Sequence, residues 1–224
     1  ASRRHRRRRS PPAPRQPEGP ARVLLRSDDV RVRRYSAAVE RVVIFVVDAS
    51  GSQALGRLAE AKGAIELMLG EAYVRREDVA LIAFRGEGAE VMLPPTRSLV
   101  QTKRRLAGLP GGGGTPLAAG LEAALGLAEQ CRRRGQQPAL VFLTDGKANI
   151  GRDGAPGRAQ AAEDAQAAAR AVRAAGLAAI VIDTGPRPAK PAEELAAALG
   201  GTYLPLPRAD AESISRSVDA ALAG

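Results

Sequence analysis

The sequence predicts a doubly wound α/β domain, with a mainly parallel sheet, one antiparallel edge strand and helices on both faces. Two observations lead to this prediction. From about residue 41 onward, short β-branched runs alternate with stretches in which apolar residues recur at helical spacing. One short pair of apolar runs is instead joined by a tight glycine-containing turn, as in a hairpin. Strands that alternate with long helices form βαβ units, and such units build a parallel sheet covered on both faces.

The first predicted strand, residues 42–47, is a continuous apolar run, which is typical of a strand buried on both faces. A helix over 54–68 follows, because its apolar residues recur every three or four positions. Strands at 79–84 and 89–93 flank the tight turn and predict the edge hairpin. The remaining predicted elements are helices at 98–107, from Thr115-Pro116 onward, at 158–174, 192–199 and 211–222, and strands at 139–143, 177–182 and 202–204.

The positive charge of the chain is concentrated at its start. The 224 residues carry a net charge of +10, and residues 1–34 hold 12 arginines against three acidic residues. Five prolines between residues 11 and 20 oppose both helix and sheet. We therefore predict a basic, proline-rich linker end over 1–34 and a folded domain over 35–224. No aromatic residue interrupts the arginine run to stack on bases, so a solvated linker is favoured over a specific nucleic-acid contact.

The rarity of histidine and cysteine excludes several classes of site. The only histidine, His5, lies in the arginine run, so the folded part has no Ser-His-Asp or Cys-His catalysis. The only cysteine, Cys131, falls on the apolar stripe of a predicted helix, and we expect it to be packed rather than reactive. A lone thiol suits a reducing compartment, so we expect the cytoplasm.

We expect neither a membrane-spanning segment nor a signal peptide in this sequence. No run of 18 or more apolar residues is present, so no membrane span is expected. The arginine-rich start has no apolar core behind it and is not a signal peptide. Because the chain begins with Ala rather than Met, we expect a fragment or a processed form of a longer protein.

Oxygen-bearing side chains follow two predicted strands and precede one helix. The first strand runs directly into Asp48, Ser50 and Ser52, a glycine-rich loop leads to Thr115, and the strand over 139–143 leads to Asp145. In doubly wound sheets these positions meet at one edge, where ligands bind. Hard oxygen donors select Mg²⁺, with Mn²⁺ or Ca²⁺ as alternatives. We predict a metal site made of Asp48, Ser50, Ser52, Thr115 and Asp145, and no catalytic residues.

The donor types predict a docking role for this metal site. The serine and threonine hydroxyls are neutral, so the ion keeps most of its charge and can accept an acidic side chain from a partner protein. Thr115 alone reads as a helix N-cap, followed by proline at the first helical position. We expect Arg85, Arg97 and Lys147 near the same edge, where they either guide an acidic partner or are ordinary solvated cations.

At these residues the chain resembles the von Willebrand factor A / integrin I domain, whose metal-ion-dependent adhesion site uses the same pattern. All five site residues match that motif, and the resemblance runs from about Arg41 to the C-terminus. The resemblance implies a Rossmann-like fold and metal-dependent binding of a partner's acidic residue.

A narrower resemblance is to the D subunits of magnesium chelatases. It is carried by residues 45–52, 79–86, 93–98, 109–117 and 143–149. It implies a domain that bridges an ATPase (I) subunit and a porphyrin-binding (H) subunit, in a complex that uses ATP to insert Mg²⁺ into protoporphyrin IX during (bacterio)chlorophyll synthesis. The phosphate-loop pattern is absent from the sequence, so the resemblance assigns no ATP hydrolysis to this chain.

Two alternatives remain at this point. The first is an enzyme with a phosphate or nucleotide site at the glycine-rich loop over 111–114, where a helix start can attract an anion. The second is the same fold in another complex, such as a cobalt chelatase or another ATPase-associated assembly.

Overall fold

A computed structural model describes residues 40–50, 69–185 and 187–205. Its strands are β1 Arg41–Asp48, β2 Asp78–Arg85, β3 Gly88–Thr96, β4 Gln137–Thr144, β5 Ala178–Asp183 and β6 Thr202–Pro205. Its helices are α1 Leu99–Ala107, α2 Leu117–Arg133, α3 Arg158–Ala174 and α4 Lys190–Leu199, and residues 69–74 are also helical. The predicted linker over 1–34, most of the predicted helix over 54–68 and the predicted helix over 211–222 lie outside the described residues.

The strands form one sheet in the order β3-β2-β1-β4-β5-β6. β1 pairs in parallel with both β2 and β4, and β4, β5 and β6 continue the parallel arrangement. β3 pairs antiparallel with β2 at the edge of the sheet, which confirms the predicted hairpin. From β1 the chain continues to β2 on one side, whereas from β4 it continues to β5 on the other side. This reversal of the strand order creates a crevice at the carboxyl ends of β1 and β4.

The sheet is buried on both faces, as the continuous apolar runs predicted. In β1, alternate residues enter two separate cores, with Val42, Ile44 and Val46 on one face and Val43, Phe45 and Val47 on the other. Helices α2, α3 and α4 cover the first face. Residues of the 69–74 helical segment and Leu106 of α1 pack on the second face. Helices on both faces of a mainly parallel sheet are the predicted fold class.

Element boundaries differ from the prediction by only a few residues. Helix α3 has the predicted bounds, whereas β3 is longer than expected because its pairing with β2 continues past Leu93 to Thr96. Ser98 is the N-cap of α1 and its hydroxyl accepts the Gln101 N–H, so the helix begins one residue after the predicted start.

One further prediction, the packing of Cys131, is confirmed by the fold. Cys131 lies on α2, is 1% exposed and belongs to the core, and burial raises the pKa of its thiol. Within the described ranges, no helix combines the length and apolar character needed to cross a bilayer.

Candidate metal centre

Three loops meet at the carboxyl ends of β1 and β4. Asp48 is the last residue of β1, Asp145 follows the last residue of β4, and Thr115 precedes α2. Because β1 and β4 are adjacent and parallel, the residues that follow them emerge side by side. The Ala49 N–H donates to the Phe84 carbonyl, which also holds the loop after β1 against the end of β2.

Asp48 organises the loop that carries Ser50. One carboxylate oxygen, Oδ1, accepts the Ser50 N–H at 2.9 Å, which is the hydrogen bond of an Asx turn. The other, Oδ2, accepts the Thr144 hydroxyl at 3.0 Å. The Ser50 hydroxyl lies 2.6 Å from the Thr115 hydroxyl, although the two residues are 65 positions apart in the chain. The structure therefore brings Asp48, Ser50 and Thr115 together.

The predicted N-cap role of Thr115 is wrong. The N-cap of α2 is Pro116, the helix begins at Leu117, and no side chain caps it. The Thr115 backbone N–H donates instead to the Asn149 side-chain oxygen at 2.6 Å, and its hydroxyl faces Ser50. The hydroxyl can point into the loop cluster because it is not used to cap the helix.

Asp145 supplies the second carboxylate. Its Oδ1 accepts the Lys147 N–H at 3.1 Å and its Oδ2 lies 3.2 Å from the Lys147 ammonium nitrogen. The two carboxylates are close enough to interact electrostatically. Burial raises the pKa of the Asp48 carboxyl, the negative charge of Asp145 raises it further, and hydrogen bonds from Ser50 and Thr144 oppose the rise. A cation near both carboxylates would offset this repulsion.

The glycine-rich loop is packed rather than open. The Gly112 N–H donates to the Ala49 carbonyl at 3.0 Å, and the Gly114 carbonyl accepts the Gly86 N–H at 2.9 Å. A Cβ on Gly114 would lie 2.4 Å from the Ile150 side chain and 2.9 Å from the Gly86 carbonyl oxygen. The loop thus uses backbone groups to hold Thr115 in position, and the Gly112 amide is not available to a phosphate.

The donor chemistry fits a hard divalent cation. In the described part of the chain, no three His, Cys, Asp or Glu side chains cluster as metal ligands. A cation between Asp48 and Asp145 would therefore rely on the adjacent Ser50 and Thr115 hydroxyls, and neutral oxygen donors of this kind suit Mg²⁺. Ser52, the fifth predicted ligand, lies outside the described residues.

Sequence reasoning missed two residues that support the candidate ligands. Thr144 is fully buried; its hydroxyl donates to Asp48 and accepts the Gly146 N–H at 3.1 Å. Asn149 holds the Thr115 backbone from 34 residues away. Thr144 could have been found from its position directly before Asp145. In contrast, no local pattern indicates that Asn149 bonds to Thr115.

The three basic residues expected at the metal edge do not share one location. Lys147 pairs with Asp145, and Arg85 ends β2 at the metal edge. The expectation for Arg97 is wrong. It follows β3, whose antiparallel direction returns the chain to the opposite edge, and it bonds to Asp78 and Glu40 near the starts of β2 and β1.

A cleft of about 650 Å³ opens beside the candidate ligands. Asp48, Ser50, Thr115 and Asp145 line one part of it. Further lining residues come from α3 and α4, including the exposed Arg158 and Glu194 and the buried Ala165 and Leu195. The candidate ligands are therefore accessible from outside, as a docking site requires.

Comparison with known proteins identifies the type of domain. A family model described as von Willebrand factor type A domain matches residues 43–147. The vWF domain of the type V pili tip protein Mfa5 from Porphyromonas gingivalis superposes with a TM-score of 0.63 at 13% identity, over 84% of this chain and 97% of that one. This structural likeness shows the fold alone.

The sequence relatives are more informative about the type of protein than the structural likeness is. The magnesium-chelatase 60 kDa subunit of Cereibacter sphaeroides is 56% identical over 93% of this chain and 37% of its own length. The magnesium-chelatase 67 kDa subunit of Chlorobaculum tepidum is 42% identical over 90% of this chain and 34% of its own length. The chain thus spans about a third of the length of these relatives. It contains a von Willebrand factor type A domain and is a relative of the magnesium-chelatase 60 and 67 kDa subunits.

Proposed function

We propose that this domain is the metal-dependent interaction module of a magnesium-chelatase D-type subunit. Its ion would be Mg²⁺, or alternatively Mn²⁺ or Ca²⁺, held by Asp48, Ser50, Ser52, Thr115 and Asp145. The observation that carries the proposal is the contact between the Ser50 and Thr115 hydroxyls, 2.6 Å apart, beside the Asp48 carboxylate. Two neutral donors and two carboxylates from separate loops are a suitable ligand set for a hard cation.

The ligand set favours docking over catalysis. Neutral hydroxyls leave the bound ion with much of its positive charge, which would attract an acidic side chain of a partner protein. The cleft beside the ligands gives such a side chain access. Asp48 and Thr144 hold the loops in position, and the exposed Lys147 ammonium group, which pairs with Asp145, would also attract an incoming carboxylate.

The names of the relatives support a place in the chelatase complex. By similarity, the domain would bridge the ATPase (I) subunit and the porphyrin-binding (H) subunit, and so assist ATP-dependent insertion of Mg²⁺ into protoporphyrin IX in (bacterio)chlorophyll biosynthesis. The domain itself would bind and position partners rather than carry out the insertion. We place it in the cytoplasm, where the lone, buried Cys131 thiol would remain reduced.

Metal-dependent binding is the direct test. The full chain is titrated with each partner subunit by calorimetry, in Mg²⁺ and then in excess EDTA. We expect binding in Mg²⁺ and at least a tenfold loss in EDTA, because the acidic contact needs the ion. Asp48→Ala should show the same loss in Mg²⁺, with an unchanged far-UV circular dichroism spectrum.

Glu129→Ala is the matched control, since Glu129 is an exposed acidic residue on α2. It should bind like the unmodified chain. Undiminished binding of the unmodified chain in EDTA would contradict the proposal, and so would undiminished binding of the Asp48→Ala variant.

A further inference from the structure

Large apolar side chains are exposed around the start of α1, away from the metal centre. Among the described residues, the exposed large hydrophobic side chains are Tyr73 at 58%, Val74 at 81%, Val91 at 42% and Val100 at 77%. Tyr73 lines one crevice together with Leu99 and Thr102 of α1, so the segment that carries Tyr73 and Val74 adjoins the first turn of that helix. Three of these four side chains therefore belong to two neighbouring segments.

Helix α1 also differs from the other fully described helices in its charge. It contains Lys103, Arg104 and Arg105 and no acidic residue, whereas α2, α3 and α4 each contain at least two. Val100, Lys103 and Arg104 lie at i, i+3 and i+4 and therefore share one exposed side of the helix. We call Tyr73, Val74, Val100, Lys103 and Arg104 the α1 surface.

Nearby carboxylates do not neutralise the α1 surface. Arg97 holds both Glu40 and Asp78, at 2.9 and 3.0 Å. Glu77 pairs with Arg41 at 3.8 Å, and Glu71 pairs with Arg75 at 3.6 Å. Within the described part of the chain, no ion pair is formed by Lys103 or Arg104. Lys103 and Arg104 thus keep their positive charge on the side of α1 that carries Val100.

The α1 surface begins near the start of β2, at the end of the sheet opposite the metal centre. Tyr73 and Val74 precede β2, and α1 follows β3, whose last residue pairs with Val79 near the start of β2. The candidate ligands lie at the other ends of the strands. At about 3.3 Å per residue, the eight-residue β1 separates the two ends of the sheet by roughly 23 Å. One acidic side chain cannot occupy both places.

We propose that the α1 surface is a second docking site, and that it binds an acidic segment of a partner subunit that also carries apolar side chains. Its lysine and arginine would pair with carboxylates, while Val100 and Tyr73 would contact the apolar side chains. Residues 1–34 are unsuitable occupants because they carry 12 arginines and three acidic residues. A second copy of the same surface is also disfavoured, since it would bring like charges together.

The test uses charge reversal in the full chain. Lys103→Glu and Arg104→Glu are combined, and binding to each chelatase partner subunit is measured at low and high salt, in Mg²⁺ and in EDTA. We expect binding about tenfold weaker or more at low salt in Mg²⁺, and a smaller difference at high salt, because exposed charge pairs are screened. Val100→Ser should also weaken binding, but without this salt dependence. Arg133→Glu combined with Arg170→Glu is the control, because both arginines are exposed on other helices.

This proposal rests on the proposed function for the identity of the partner subunits but not on the bound ion, and the outcomes separate the two. If charge reversal has no effect while Mg²⁺ is still required, the α1 surface is overturned and the metal site stands. If charge reversal weakens binding that persists undiminished in EDTA, the α1 surface stands and the metal-dependent function fails. The proposal is also overturned if reversal leaves subunit binding intact but abolishes self-association, seen by sedimentation, or binding to a 20-base-pair DNA duplex.

Discussion

At the scale of single residues, Thr144 connects the two loops that carry the candidate carboxylates. Its side chain is fully buried, donates to Asp48 and accepts the backbone N–H of Gly146. A buried group that loses its hydrogen-bond partner carries the full cost of its desolvation. Thr144 therefore has a structural effect on Asp48 and on the loop of Asp145 without being a proposed ligand.

Thr144→Val should destabilise the metal-free protein. Valine has nearly the same shape but cannot bond to Asp48 Oδ2 or the Gly146 N–H, so we expect a loss of about 1–3 kcal/mol in the free energy of unfolding. Urea denaturation in EDTA measures it. Thr202→Val makes the same change at an exposed position and should lie within about 0.5 kcal/mol of the unmodified chain. Equal urea midpoints for the Thr144 variant and the unmodified chain would show that the hydroxyl contributes nothing.

Asp183 is a second buried carboxylate, and its hydrogen bonds connect neighbouring elements of the fold. It is 1% exposed and accepts hydrogen bonds from the Gly185 N–H, the Ala189 N–H and the Tyr203 hydroxyl, at 2.8, 2.9 and 2.8 Å. These bonds join the end of β5 to the start of α4 and to β6. Burial and the bond to Asp183 raise the pKa of Tyr203 to about 12.

Tyr203→Phe should be less stable than the unmodified chain at neutral pH by about 1–3 kcal/mol, because Asp183 loses a donor. The folded pKa of Tyr203 lies above its unfolded value, so this stabilisation is complete below about pH 10 and is lost as the pH rises towards 12. The stability difference should therefore narrow between pH 10 and 12, which chemical denaturation at each pH measures. A constant difference across that range would refute the role of the hydroxyl proton.

At the scale of elements, the loop before α2 is positioned by close backbone contacts. Gly113 and Gly114 pack against Gly86 in the β2–β3 turn, and Gly114 also faces Ile150. Thr115 follows directly, so the position of its hydroxyl depends on this packing. The loop after β1 joins the same arrangement through the bond from Gly112 to Ala49.

Gly114→Ala should displace Thr115 from Ser50. The new Cβ would lie 2.4 Å from Ile150 and 2.9 Å from the Gly86 carbonyl, so the loop must shift. We expect a stability loss of about 1–3 kcal/mol and at least a tenfold loss of Mg²⁺-dependent partner binding. Gly126→Ala on α2 meets no atom within 4 Å and should reduce neither quantity. Partner binding by the Gly114 variant equal to that of the unmodified chain would rule out this positioning role.

At the scale of the whole molecule, the candidate ligands come from loops that only the folded sheet brings together. A cation held by them would therefore bind the native state and not the unfolded chain, and would stabilise the fold by mass action. Ala49 of the loop after β1 belongs to one core and Ala148 packs against the other, but most core residues lie on the strands and helices, so we expect the domain to fold without the ion.

Mg²⁺ at about 100 times its dissociation constant should raise the free energy of unfolding by about 2.7 kcal/mol. Thermal unfolding with increasing MgCl₂ measures the effect, with KCl at matched ionic strength as the control. Asp48→Asn should remove the Mg²⁺ effect while leaving a cooperative transition. A midpoint that does not respond to Mg²⁺ in the unmodified chain would count against the metal site.

The agreement between sequence and structure follows the range of the interactions involved. Continuous apolar runs and helical periodicity predicted the β1 core and the bounds of α3, because each pattern reports the burial of its own segment. Arg97 was assigned to the wrong edge because its place depends on the direction in which β3 pairs with β2. The role of Asn149 was not predicted for a similar reason, since its side chain bonds to a backbone group 34 residues away.

Within the residues that the structure describes, local patterns in the chain were enough to predict which segments become strands and helices and which loops carry oxygen donors. Packing decided that β1 lies between β2 and β4, that the Ser50 and Thr115 hydroxyls meet, and that Thr144 bonds to Asp48. The physical reason is that burial and backbone preference act within a few neighbouring residues. Contacts between residues 65 or 96 positions apart arise only when whole elements assemble around a shared core.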